Sequence, residues 1–497
     1  MKYTWRIDNM KGSALLVVLA AITLAGFLAA AIFNQSFRGL HRWDRQKNHL
    51  QALYLAESGI AHQLHQEKHS ASMPGKIDTL AGGSLPAPEN EDSAQSDEEA
   101  LEFFLSPELP VPEVSSEEEG AYLAISSSAE YKTGSVEIRT RFGRALTDSI
   151  FSSALVLSGK HPLEPAAFDR ITGNVLARTR QRIPAEHEFA LAPKFTVSKL
   201  IGSFSSDRDN YYRDELNKQL GKEGGGHGNG YFGSGVLPDF SAVEQVFFPL
   251  GDITIENYGG ACLEINGPGT FYAHGDIYVK GCISLEDIQL SAGRSIYFED
   301  SVSSRNLLAY AGKDIHVLDR CFLDLQAIAQ ENIFLEGTSQ TAAQSVLLSI
   351  GLRKKSGSAP FKAEDRASGK KVKEKVKTQV KAYGIRMRDE ATARGLLIAA
   401  GANGTVVMNS RDNAIEGMAI TRKSAWLSGS IKGLVITQSL RCDDNQERNC
   451  LGEAEINRDL MPPQITLPLD FGSQDRSSWD FKLVEWRLVE RGVGSGE

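Results

Sequence analysis

Ala14 to Phe33 is an uncharged apolar run in which Thr23 is the only polar side chain. At 1.5 Å per residue it predicts roughly 30 Å of helix, the thickness of a bilayer core. Leu50, Leu53, Tyr54, Ile60, Ala61 and Leu64 then recur at three- and four-residue steps or their multiples, and no proline intervenes before Pro74. The simplest reading is one long helix, half in lipid and half outside. A cleaved secretory signal fits less well. It would have an apolar region of about 7–15 residues and then a small-residue cut site, whereas this run is longer and passes into a charged helix.

The pattern breaks at Pro74. Glu89 to Glu119 holds twelve Asp or Glu and no Lys or Arg. Such a stretch buries too little apolar surface to order itself, so it reads as a linker. Alternation resumes where Val136, Ile138 and Thr140 interleave with Glu137, Arg139 and Arg141, the period of a half-buried strand after a turn at Thr133 and Gly134. ITGNVLAR (Ile171–Arg178) has the look of a first rung. A polar helix candidate (Asp207–Leu220) and a glycine-rich loop interrupt it. Five segments then align on Ile253, Ile277, Ile296, Ile315 and Ile333, each followed two residues later by Ile255, Val279, Phe298, Val317 or Leu335. Self-similarity at so short a period predicts a β-solenoid with rungs about 4.8 Å apart. After a basic stretch, Arg353 to Lys381, RGLLIAAG, IEGMAIT and IKGLVITQSL resume it less evenly. Trp479, Phe481 and Leu483, then Val484, Trp486 and Leu488, predict a strand with a change of face that covers the open end of the stack.

Composition narrows the picture little. A net charge of −9 and a pI near 5.7 argue against a nucleic-acid partner. Five cysteines make no disulfide scaffold. Cys262, Cys282 and Cys321 each open a second strand in their rungs and predict an inward column of buried free thiols, since rung spacing slightly exceeds the usual Cβ separation of about 3.5–4.5 Å in a disulfide. Cys442 and Cys450 either close a small polar loop in an oxidising compartment or stay as two loop thiols.

The leader ending in Gly12, then SALLVVLAAITLAG, then QALYLAESGIAHQL, resembles the N-terminal region of PilX-like minor pilins of type IV pilus systems. The resemblance covers about the first 65 residues, and ALYLAESGI is its most specific part. It implies a cut by a prepilin peptidase between Gly12 and Ser13. It also implies a helix that sits in the inner membrane and later packs with other pilin-like subunits. Ala14, Leu15, Leu16, Val17, Val18, Leu19, Ile22, Leu24, Phe27, Leu28, Ile32 and Phe33 would carry anchoring in membrane lipid and assembly. Val17 stands where major pilins carry a glutamate, which points to a minor or tip-type subunit. Basic residues flank the apolar run on both sides, so charge does not set the topology; the resemblance places the N-terminus in the cytoplasm and the bulk of the chain in the periplasm or outside the cell.

The expected fold class is α+β/all-β: a long N-terminal transmembrane helix, a small pilin-like strand unit and a large β-solenoid. The expected domains are a leader (1–12), the helix (13–70), an acidic linker (71–119), pilin-like strands (120–149), the solenoid (150–352, with an insertion at 192–235), a basic insertion (353–382), further solenoid (383–450) and a capping tail (451–497). No phosphate loop, zinc-protease helix or nucleophile elbow is present in the sequence. His62, His65 and His69 share a helix face and read as solvated. Glu299, Asp300, Asp319 and Asp324 lie in neighbouring rungs at what read as different offsets, so they form no column of carboxylates. The sequence therefore predicts a non-enzymatic, single-pass inner-membrane minor pilin that needs no cofactor or metal. The alternatives are an anchored scaffold or adhesin that never polymerises and, less favoured, a carbohydrate-active β-helix enzyme.

Overall fold

The structure is a computed structural model. It describes residues 35, 42–68, 110–119, 122–146, 149–160, 162–178, 189–191, 197–201, 204–220, 230–232, 245–248, 251–351, 383–441, 449, 451–468, 471 and 481–489. The chain divides into two compact units. The smaller comprises Met1–Glu117, Ala124–Arg141 and Glu485–Glu497; the larger comprises Glu118–Leu123 and Phe142–Val484.

In the smaller unit a helix, α1 (42–68), lies on a sheet. The sheet order is β1 (Glu113–Glu119), β2 (Tyr122–Tyr131), β3 (Gly134–Arg144) and then the C-terminal strand Phe481–Val489. Ala52, Leu55, Ala56 and Ile60 bury one face of α1, at the spacing of a single helical stripe. Gly59 lets the helix come close: a Cβ there would meet Ser127 Oγ at 2.7 Å and Val114 Cγ2 at 2.8 Å. Polar contacts fix both ends of the helix. Asn48 Nδ2 donates to Thr133 Oγ1 at 3.1 Å, and Gln63 Nε2 donates to Ser116 Oγ at 3.0 Å. The turn at Lys132 and Thr133 reverses β2 into β3, whose Val136, Ile138 and Thr140 are buried as the alternation predicts. Because β3 and the last strand are neighbours, everything between them in sequence is an insertion into this sheet.

That insertion is a β-solenoid, with 23 strands in one sheet among the described residues. The aligned isoleucines stack in register: Ile253 on Ile277, Ile277 on Ile296, Ile296 on Ile315, and Ile315 on Ile333. The column continues through Ile385, Val406 and Ala425, and all eight are fully buried. Side chains two residues apart share a strand face, so one inward isoleucine per rung draws its partner inward too. Corners of the rungs use left-handed backbone at Gly281, Asp300, Asp319, Gly337 and Asp389, residue types that tolerate it.

The order of the stack departs from the order of the chain. Leu155 pairs with Val435, Leu155 with Val175, and Ile171 with Ile456. The segment expected to open the stack therefore lies beyond its last rung. The chain then crosses to the far end, where Gly230–Phe232 pairs with Ile253–Ile255 and Gln245–Phe248 with Thr270–Ala273. Part of the crossing is a 17-residue helix, α2 (Phe204–Leu220). The strand Phe481–Val489, expected to cover the stack, joins the four-stranded sheet instead.

Two expectations are corrected. The fold is mostly β, and no helix among the described residues is long and apolar enough to cross a membrane. The expected class, built on a long transmembrane helix, gives way to a β-solenoid inserted in a small helix-on-sheet unit. The expected single-pass inner-membrane location is overturned by the same finding. The longest helix described is α1. It is amphipathic, with one stripe buried against protein and Arg42, Asp44, Arg45, Lys47 and Glu57 exposed. The run Ala14–Phe33 lies outside the described residues.

Candidate functional site

Two surfaces stand out, one in each unit. Opposite its buried stripe, α1 exposes Trp43, Leu50 and Tyr54, which are 60, 49 and 66% accessible. Their spacing of seven and four residues sets them along one helix face. Lys47 lies over the Trp43 ring at 5.8 Å. Large apolar side chains aligned in water mark a face that pairs with another protein more often than scattered single ones do.

On the solenoid, the residue after each aligned isoleucine points outward. Tyr278, Tyr297, His316 and Phe334 form a ladder of near-parallel rings, with centroids 4.9, 4.6 and 4.6 Å apart. Lys280 covers the Tyr278 end at 4.9 Å and Arg386 the Phe334 end at 5.9 Å. Rings stacked at rung spacing hide each other's faces and present only edges, so this ladder stiffens the sheet and offers no open platform for stacking a ligand. Burial lowers the pKa of His316, against the opposing pull of Asp314 and Glu336. Charges beside the ladder pair across rungs: Lys280 with Glu299 at 3.0 Å, Arg388 with Glu336 at 3.3 Å, and Arg294 with Asp252 at 3.0 Å.

The acids considered for carbohydrate chemistry have local partners or places. Glu299 is paired with Lys280. Asp324 accepts from the Asn306 amide and from Gln344 Nε2. Asp300 and Asp319 do share a column, contrary to the expectation, because both sit four residues after their isoleucine; the column is the left-handed corner, which glycine fills at positions 281 and 337. Among the described residues no group of His, Cys, Asp or Glu could hold a metal ion.

Cys262 and Cys282 form a disulfide with Cα atoms 4.7 Å apart, correcting the expected free thiols. Rung spacing is a Cα distance and falls inside the Cα range of disulfides, about 4.4–6.8 Å, so the Cβ range sets no bar to the bond. The bond faces outward, with Cys262 exposed. Cys321 alone points inward and is a buried free thiol. Cys282 stacks on Ser301, 19 residues on, so a second such step reaches Arg320. Cys321 is one residue further, and one residue reverses the face.

Of the site residues read from sequence, Gly12, Ser13 and the anchor run from Ala14 to Phe33 lie outside the described residues, as do Cys442 and Cys450. The aromatic ladder went unread, although its signal was present: Tyr, Tyr, His and Phe follow successive aligned isoleucines.

The class defined by this architecture is a helix-on-sheet unit carrying an inserted parallel β-solenoid. No family model matches the chain, and no curated protein matches it. Among solved structures, the competence-associated pilin ComZ from Thermus thermophilus aligns over 89% of this chain and 97% of its own, at 10% identity and a TM-score of 0.15. A score that low carries no argument about this chain.

Proposed function

We propose that this chain is a non-enzymatic, pilin-like subunit of a type IV pilus or pseudopilus, with the solenoid as a rigid surface displayed by it. The observation that carries the reading is the two-faced α1. One stripe is spent on its own sheet, while Trp43, Leu50 and Tyr54 remain exposed along the opposite face. A helix that has already satisfied its own sheet and still aligns large apolar side chains is suited to packing against helices of other pilin-like subunits. The resemblance of residues up to about 65 to PilX-like minor pilins supports the same reading. In this account the mechanism is burial of apolar surface, worth about 25 cal/mol per Å². The one covalent step is removal of the leader between Gly12 and Ser13 by a prepilin peptidase.

The test is the N-terminal mass of the protein purified from its own host. A chain beginning at Ser13 supports the proposal. A chain beginning at Met1 overturns the processing step and favours a scaffold or adhesin that is never polymerised.

A further inference from the structure

α2 crosses the outer side of one column of stacked strands, where Tyr272 stacks on Ser291, Ser291 on Tyr310, and Tyr310 on Ile328. Its sequence, FSSDRDNYYRDELNKQL, is strongly polar. It buries Phe204, Tyr212 and Leu216, and along with them the polar Arg208, Asp209 and Gln219. Asp209 is the hub. Only 2% exposed, its carboxylate accepts from Tyr310 Oη at 3.1 Å and Gln330 Nε2 at 3.2 Å, and it pairs with Arg213 at 3.1 Å. Gln330 Nε2 also donates to Tyr310 Oη at 3.0 Å, which closes the network. The Tyr212 ring stacks on Tyr310 at 6.0 Å.

From this we infer that α2 is a releasable strap, latched to the solenoid by the Asp209 carboxylate and able to lift as a unit while the rungs beneath stay folded. Among the described residues no backbone hydrogen bond joins α2 to the sheet, so lifting it breaks no ladder bond. The rungs under it keep their own inner core of Phe271, Leu290, Ala309 and Ala327, all fully buried. An element that covers a sheet without joining its ladder opens at lower free energy than the strands beneath it. A buried polar network holds firmly only while every member is paired. Opening would uncover a strip bearing the hydroxyls of Tyr272, Ser291 and Tyr310 on successive rungs. The inference does not depend on the pilus reading.

Amide hydrogen exchange on the full chain tests it. In the wild type, amides of Phe204–Leu220 should exchange through one common opening, ahead of Ile277–Ala292 and Ile296–Ala311. Asp209→Asn keeps an oxygen that can accept from Tyr310 and Gln330 but loses the charge and the pair with Arg213; it should speed the whole of α2 by about tenfold, the factor between a hydrogen bond to a charged group and one to a neutral group, and leave those two strands unchanged. If Asp209→Asn does not fold, Tyr310→Phe, which removes one hydroxyl, should show the same pattern to a smaller degree. Graded fraying from the helix ends, or a variant that moves strands and helix together, overturns the proposal.

Discussion

Replacing Gly417 with alanine puts the packing of the solenoid under direct strain. Gly395, Gly417 and Gly433 stack in one column, each following a charged residue, Arg394, Glu416 or Lys432. Gly417 has φ +149°, and a Cβ there would stand 2.1 Å from the Gly395 carbonyl oxygen and 2.9 Å from its carbon. Backbone in that sparsely populated region costs a non-glycine residue about 1–3 kcal/mol. The overlap is with backbone, and the next rung is packed as closely, since a Cβ on Gly433 would stand 1.8 Å from the Gly417 oxygen. Overpacking of this kind adds about 1–3 kcal/mol. The sum is about 2–6 kcal/mol. Gly260 is the control: a Cβ there meets nothing within 4 Å, so Gly260→Ala should change stability by no more than about 0.5 kcal/mol. Urea unfolding followed by exchange of Ala414–Thr421 reads the solenoid separately from the small unit, which a whole-chain two-state fit would not. If Gly417→Ala proves as stable as Gly260→Ala, the rungs do not stack as closely as described.

Three further outcomes follow from single side chains. Burial holds His316 below its ordinary pKa, so the unfolded chain takes up that proton first. Its contribution is intact above about pH 6.5 and is lost as pH falls through the folded value; His316→Phe should flatten that part of a stability–pH curve. At Glu416 burial raises the pKa, but hydrogen bonds from Lys432 and Arg394 more than reverse it. Glu416→Gln should cost about 0.5–1 kcal/mol at pH 7, and the difference from wild type should vanish once acid protonates the carboxylate. Burial pushes the Cys321 thiol up to about 12, so an alkylating agent at pH 8 should leave it unmodified until the solenoid unfolds; labelling in the native chain would contradict its placement.

The parts of the fold legible in sequence are those coded locally. The rung isoleucines and the alternation in β3 announce themselves because each strand must turn apolar residues to one face. The stack order was not legible, since nothing near Leu155 encodes a partner at Val435. The column of strands that stacks through Tyr310, Ile328, Leu348 and Ile398 was hard to read for another reason. Leu397 and Ile398, or Val435 and Ile436, are buried side by side on opposite faces, because α2 together with Ile465, Leu467 and Phe471 gives the sheet a second core outside the first. Such strands read as continuous apolar runs without alternation. For the candidate site, the helical period of α1 was evident. Which of its apolar residues would face the sheet was not, and Tyr54 in particular sits outside the buried stripe.

The central claim is that the outer face of α1 packs against other pilin-like subunits. The most direct measurement is cross-linking in intact host cells from a photoreactive residue at Tyr54, with Trp426 on the solenoid as the comparison. The account predicts cross-links from position 54 to pilin-like subunits, identified by mass spectrometry, at a yield well above that from position 426. A position 54 that captures no pilin-like protein while the chain is present and folded would contradict it.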